Sequence, residues 1–136
     1  MLKLYEYDNL LDDYAELSMG TMMRPLALAA SSLRRQDSRI TRQIFVRNDE
    51  TDVTHESITL QFINIPSSWT AKMISQTSEP TEEAFEILSN GNIVSHADIT
   101  DLAYYPLWVE VIIPQGTPPA ILGKMKISVH GTRKVV

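Results

Sequence analysis

The chain contains no cysteine, only five glycines, and no long apolar run. The absence of cysteine excludes a disulfide framework, thiol catalysis and a cysteine-based zinc site. Neither G-x-x-x-x-G-K-[ST] nor G-x-G-x-x-G occurs, so the two common phosphate-binding loops are excluded. No apolar run approaches the roughly 18 residues of a membrane span, and acidic residues interrupt the N-terminal segment where a secretory signal would be apolar. We therefore expect a protein that is synthesised and retained in the cytoplasm, with no membrane partner.

Positive charge is also scarce. The formal net charge is −5, which argues against nucleic acid as a partner. The charge is unevenly distributed, because residues 1–16 contain five carboxylates and one lysine, whereas residues 24–42 contain five arginines and one aspartate. An acidic segment followed by a basic one predicts contact with complementary surfaces, including those of neighbouring copies.

The pattern of apolar residues divides the chain near residue 40. Residues 1–40 lack sustained alternation, and their spacing predicts a short extended stretch at residues 4–7 and short helices over residues 10–17 and 26–33. Neither helix is long enough to be stable alone in water. We therefore expect an N-terminal arm, extended or short-helical, that becomes ordered by contact with another surface.

From residue 41 onward, strand patterns follow one another at close spacing. The Asn90-Gly91 pair predicts a hairpin turn between two of them. About seven strands separated by frequent turns predict an all-β, immunoglobulin-like antiparallel β-sandwich over residues 41–136, and an antiparallel barrel is the nearest alternative. The predicted strands cover residues 42–48, 57–65, 69–76, 85–89, 93–99, 107–113 and 125–130.

Several short motifs carry a resemblance to a known family. Residues 43–131 resemble a bacterial immunoglobulin-like module of the CARDB kind, although residues 120–122 separate the proline pair from the glycine that should follow it. The strings IFVRND and PLWVEVIIPQGTPP are also similar to short structural proteins of tailed bacteriophages, which often combine such a domain with an arm. The residues that match the module are Asn48, Ile65, Pro66, Trp69, Pro114, Gly116, Thr117, Pro118, Pro119 and Gly123.

The phage resemblance implies a function and a location. It implies a non-enzymatic virion protein that decorates or cements a capsid or belongs to a neck or tail. The protein would be synthesised in the host cytoplasm, and its partners would be capsid or tail subunits and further copies of itself. The arm would reach these neighbours, because many symmetric copies offset the entropy of ordering it.

Candidate partner-contact residues lie in the predicted arm and on one strand. The arginines could bind phosphate, but the acidic chain favours a protein partner. The methionines suit adaptable packing on a neighbouring subunit or on the same sandwich. If Leu107 and Val109 face the core, Trp108 points outward. The candidates are Arg34, Arg35, Arg39, Arg42, Met22, Met23 and Trp108. The alternative function is carbohydrate or surface-polymer binding through Trp108, Tyr104 and Tyr105.

No catalytic, cofactor or metal site is predicted. No G-x-S-x-G motif occurs, and the acidic residues 49–52 lack the glycine and terminal glutamate of a calcium loop. The acidic residues between 79 and 86 are expected in a solvated loop, Asp98 and Asp101 in turns, and Trp69 in the core. The histidines are not at metal-ligand spacing and are expected to be structural or exposed; they are His55, His96 and His130.

Overall fold

The computed structural model describes residues 1–17, 38–114 and 125–136. These parts contain eight strands and one short helix. In chain order the elements are β1 (Leu2–Asp8), β2 (Asp13–Leu17), β3 (Ser38–Asn48), β4 (Val53–Ile63), β5 (Thr70–Ile74), α1 (Glu82–Glu86), β6 (Val94–His96), β7 (Tyr105–Ile113) and β8 (Lys126–Val135).

The strands form two antiparallel sheets. One sheet has five strands in the order β2-β1-β3-β7-β5, and the other has three in the order β6-β4-β8. From β4 to β8, each strand lies in the opposite sheet from the strand before it. Buried residues of both sheets form a single apolar cluster, so the sheets pack as two layers. The all-β, antiparallel, two-layered architecture predicted from the sequence is confirmed at this level.

The core follows the alternation that the sequence shows. In β7, Leu107, Val109 and Val111 are buried between the sheets, as predicted. The predicted burial of Trp69, which immediately precedes β5, is also confirmed. Each fully buried large apolar side chain contributes roughly 1.5–3 kcal/mol, so this shared cluster is the main stabilising feature of the sandwich.

The helix predicted over residues 10–17 is absent. The side chain of Asp8 accepts hydrogen bonds from the N–H groups of Leu10 and Leu11. Asp12 then adopts a positive φ of 52°, and the chain reverses into β2 rather than continuing as a helix. Residues 1–17 are therefore two strands of the five-stranded sheet, which differs from the arm expected over residues 1–40. The helix predicted over residues 26–33 lies outside the described residues.

The prediction of a strand over residues 85–89 is also wrong. This region contains helix α1, whose N-cap Thr81 accepts a hydrogen bond from the N–H group of Ala84, and Phe85 is buried on the inner side of that helix. The predicted hairpin at Asn90-Gly91 does not form, because Asn90 and Asn92 bond to the backbone of β5 instead. Side-chain amides carry the same donor and acceptor pair as a peptide group, so they replace a neighbouring strand there.

Candidate interaction surfaces

The tip of the β1–β2 hairpin exposes two leucines in a fixed turn. Leu10 is 97% exposed and Leu11 is 71% exposed. The Oδ1 atom of Asp8 accepts the N–H groups of Leu10 at 2.9 Å and Leu11 at 3.4 Å, and the Tyr7 hydroxyl donates to Asp12. These bonds define the backbone of the turn, so the leucines are presented by a preorganised loop.

The same tip is surrounded by negative charge. Asp8, Asp12 and Asp13 flank the two leucines, and residues 6–16 contain no lysine or arginine. Further along β2, Glu16 forms an ion pair with Lys3 of β1 at 3.3 Å. The hairpin is therefore an apolar tip with an acidic rim, a composition that suits a partner surface with an apolar centre and basic edges.

An aromatic cluster on the outer face of the five-stranded sheet packs the two hairpin strands against β3 and against Tyr104, which precedes β7. The rings of Tyr14 and Tyr104 stack with centroids 3.7 Å apart and planes 6° from parallel. The guanidinium of Arg47 lies 4.8 Å from the centroid of Tyr104 and donates to the carbonyl oxygen of Leu102. Such ring pairs contribute about 0.5–1.5 kcal/mol each beyond their buried area. The cluster consists of Tyr5, Tyr7, Tyr14, Phe45 and Tyr104.

The three aromatic residues considered for glycan binding do not form one platform. Tyr104 is stacked on Tyr14 and covered by Arg47. Tyr105 lies on the opposite face of the sheet, where it packs against the core and donates to Asp101 at 2.8 Å; this hydrogen bond raises the pKa of the Tyr105 hydroxyl. Trp108 points outward as predicted, but it is half-buried, and its ring N–H donates to the carbonyl oxygen of Thr77 at 3.3 Å.

The candidate contact arginines of β3 lie on different faces of the sheet. Arg39 shares the outer face with Trp108, and its Nη1 lies 3.0 Å from Oε2 of Glu110. Arg42 shares the inner side with Glu6, at 4.0 Å. Arg34, Arg35, Met22 and Met23 lie outside the described residues. Sequence alternation placed Glu110 outward, yet it is only 2% exposed, so the charge of Arg39 is already used within the chain.

Two of the four sheet edges offer no place for another strand. At β5, Asn90 bonds to the backbone of Trp69 and Ala71, and Asn92 bonds to both the N–H and the carbonyl of Met73. These four hydrogen bonds occupy the backbone groups that an added strand would need. At the other sheet, β6 is only three residues long. Occupied and very short edges are common protections against unwanted strand pairing.

The other two edges, β2 and β8, are more accessible. Residues 132–135 of β8 pair with residues 53–56 of β4. Among the described residues, nothing pairs with the other edge of β8, and residues 130–135 are all exposed. Beyond its pairing with β1, β2 likewise has no second strand partner in the described ranges. Backbone N–H and C=O groups at such edges can bind an extended segment.

A cavity of about 350 Å³ lies near the ends of β1 and β8. His55 is 4% exposed, and its Nε2 atom has no hydrogen-bond partner within the described parts of the chain. Burial lowers the pKa of His55 below its ordinary value. On the same wall, hydrogen bonding from Arg133 and from the amino group of Met1 lowers the pKa of Glu50 to about 2. The lining residues are Met1, Leu2, Glu50, His55, Val129, Gly131 and Arg133.

Buried His55 makes stability depend on pH. The pKa of His55 in the folded state lies below its ordinary value of 6.5. As the pH falls through 6.5, the unfolded state therefore binds more protons than the folded state. The free energy of unfolding should therefore decrease from pH 6.5 to about 5, above the range where carboxylates titrate. Urea unfolding of His55→Gln should show a flatter dependence over this window, whereas the exposed-site control His130→Gln should behave like the wild type. Equal slopes for wild type and His55→Gln would contradict this account.

The acidic segment considered for calcium forms ion pairs instead. Asp49 lies 3.1 Å from the amine of Lys3 and 2.9 Å from the amino group of Met1, and Glu50 bonds to Arg133. Within residues 1–17, 38–114 and 125–136, no group of three potential metal ligands comes together. In the same ranges, no helix has the length and apolar character to cross a bilayer.

The described residues present a hairpin tip with two exposed leucines and two sheet edges without a second partner strand in the described ranges. Comparison of the chain with protein-family models, with curated proteins and with solved structures gives no match.

Proposed function

We propose that this chain is a non-enzymatic structural protein of a tailed-phage particle, in which it decorates or cements the capsid or belongs to the neck or tail. Its location is then the virion, and its partners are capsid or tail subunits and further copies of itself. The contact with the particle is made by the β1–β2 hairpin, which lies within the N-terminal segment predicted from the sequence to attach the protein.

The observation that carries this proposal is the hairpin tip. Two adjacent leucines exposed to water are unfavourable for an isolated protein, and contiguous exposed apolar groups are typical of contact sites. The bonds of Asp8 and Tyr7 hold the turn in place before any partner binds. A preorganised tip loses little conformational entropy on binding, which suits a subunit that must add to a completed assembly.

The fold supports the same proposal. A two-layered antiparallel β-sandwich with a hairpin at one end is compatible with the immunoglobulin-like module that the sequence resembles. We propose that the domain belongs to that group and acts as a rigid unit. Because such folds serve many functions, the contact surfaces rather than the fold carry the assignment.

Carbohydrate binding is the alternative that the sequence suggested. A glycan platform needs neighbouring aromatic rings with free faces. Tyr104 stacks on Tyr14, Tyr105 lies on the other side of the sheet, and Trp108 is half-buried beside Thr77. The arrangement of these three residues favours the virion role over this alternative.

The test is incorporation into particles. Peptides of the chain are expected in density-purified tailed particles from the strain that encodes it. Leu10→Ser/Leu11→Ser should reduce incorporation by about tenfold or more, because each leucine loses roughly 1.5–3 kcal/mol of apolar contact. Ile87→Ser is the matched control, since Ile87 is similarly exposed but lies away from the hairpin. Absence of the wild-type chain from purified particles would refute the proposal.

A further inference from the structure

We propose that copies of this chain associate head to tail, with the β2 edge of one copy pairing with the exposed half of β8 of the next. This inference builds on the proposed structural function and names a partner surface within it. The contact would join the five-stranded sheet of one copy to the three-stranded sheet of another. It is a heterologous contact, which produces rings or chains rather than a closed two-fold pair.

The first step is the choice of edges. Of the four edges in the two sheets, β5 is occupied by the side chains of Asn90 and Asn92, and β6 has only three residues. Within the parts of the chain that the structure describes, β2 and β8 are therefore the edges that can accept a strand. Their lengths also match, because β2 has five residues and the exposed half of β8 has six.

The second step is charge. Strand β2 contains Asp13 and Glu16 and no cation, whereas β8 contains three cations and no carboxylate, namely Lys126, Arg133 and Lys134. Like charges directly opposite each other destabilise paired strands, and opposite charges stabilise them. Pairing of β2 with β2, or of β8 with β8, is therefore disfavoured. Pairing of β2 with β8 is the one combination of the two accessible edges that charge favours.

The internal ion pairs of these strands leave donors for a partner. Arg133 uses Nε and Nη2 to bond to Glu50, and Lys134 contacts Glu56 at 2.9 Å. Both side chains are more than half exposed, so Nη1 of Arg133 and the remaining protons of Lys134 can reach carboxylates of another copy. Asp13 is exposed as well. The ion pairs with Glu50 and Glu56 therefore position Arg133 and Lys134 at the edge of the sheet and leave both cations accessible to a partner.

The hairpin tip lies next to the same edge. Leu10 and Leu11 lie in the turn before β2, with Asp12 between Leu11 and the strand, so a strand that pairs with β2 brings its own copy close to both side chains. In the proposed contact, backbone hydrogen bonds give the alignment, charge selects the partner edge, and the neighbouring leucines add apolar area.

The test is the oligomeric state of the purified full-length chain. At about 0.1 mM, a concentration suited to a weak interface, the wild type should sediment as dimers and larger species, and added salt should dissociate them. Asp13→Lys/Glu16→Lys alone and Arg133→Glu/Lys134→Glu alone should each weaken association by about tenfold or more. An equimolar mixture of the two variants should recover association, because the basic β8 of the first variant meets the acidic β2 of the second, and the two reversed edges also carry opposite charges.

The control carries the same change in net charge as Asp13→Lys/Glu16→Lys. Glu79→Lys/Glu86→Lys replaces two exposed carboxylates outside both edges and should associate like the wild type. A monomeric wild type, unchanged association of either edge variant, or a mixture that remains monomeric would overturn the inference. If an edge variant does not fold, the salt dependence of the wild type decides. A monomeric wild-type chain still found in purified particles would leave the proposed function standing.

Discussion

A chain that starts at residue 18 is expected to lose cooperative unfolding altogether. The deletion removes β1 and β2, and with them Leu2, Leu4 and Tyr5, all of which are buried. Each of these side chains contributes roughly 1.5–3 kcal/mol on burial, which together is a large part of the 5–15 kcal/mol that stabilises a typical domain. The deletion also leaves the edge of β3 without its partner strand β1, so that strands of other chains can pair with it. Thermal unfolding followed by circular dichroism is the measurement.

Two full-length variants distinguish the effect of losing core packing from the effect of shortening the chain. Leu4→Asp keeps every residue but places a charge in the apolar cluster, and it should destabilise the domain almost as strongly. Leu10→Ser/Leu11→Ser changes the same hairpin at exposed positions and should unfold within about 0.5 kcal/mol of the wild type. A detachable arm, as expected from the sequence, requires the opposite result. A truncated chain with an unchanged midpoint would support the arm.

The sequence predicts the central strands well because their side chains alternate between two environments. In β7, Leu107, Val109 and Val111 face the core and Trp108 faces outward, as the pattern indicates. The pattern is weaker where one strand bends. Strand β4 contains a register shift between Glu56 and Thr59, so the alternation that begins at Val53 is broken before it resumes, and the predicted strand began four residues late.

The helix predicted over residues 10–17 does not form, and the reason is physical. Leu10, Leu11, Tyr14 and Leu17 share a helical face in sequence, but apolar residues at a turn give the same spacing by coincidence. The useful signal was the dense group of Asp8, Asn9, Asp12 and Asp13, since such residues bond to nearby backbone and favour turns. Strand pairing of residues 2–5 with residues 45–48 links distant parts of the chain, which local periodicity does not encode.

The contact surfaces were only partly accessible to sequence analysis. The division into acidic and basic segments is visible in the composition, but the basic edge of the structure is β8 at the far end of the chain. Trp108 was placed on the correct face. The exposed leucine tip does not follow from the pattern, because its residues also fit a helix, and the segment containing Asn90 and Asn92 fits a hairpin turn rather than the edge of β5. Which edge remains open depends on three-dimensional pairing.

Removing the ion-pair partner of the buried Glu110 carboxylate is also expected to lower the stability of the fold strongly. Glu110 is 2% exposed, and Arg39, 71 residues earlier in the chain, contacts it at 3.0 Å. Arg39→Met removes the cation in contact with Glu110, whose cross-strand neighbours are Thr41 and Lys72, and leaves a buried carboxylate without its ion-pair partner. We expect a loss of about 2–3 kcal/mol, which is below the roughly 3–5 kcal/mol of a fully buried pair because Arg39 is 35% exposed.

A double-mutant cycle distinguishes a structural pair from a partner contact. Replacing both residues, as in Arg39→Met/Glu110→Met, removes the unpaired charge and should recover most of the lost stability. Arg42→Met is the matched control, because Arg42 lies on the same strand and its ion pair with the half-buried Glu6 is longer, at 4.0 Å. This substitution should cost less than about 1 kcal/mol. Urea unfolding of the four proteins of the cycle and the control gives each value. If Arg39→Met and Arg42→Met were equally stable, the charge of Arg39 would be free to bind a partner after all.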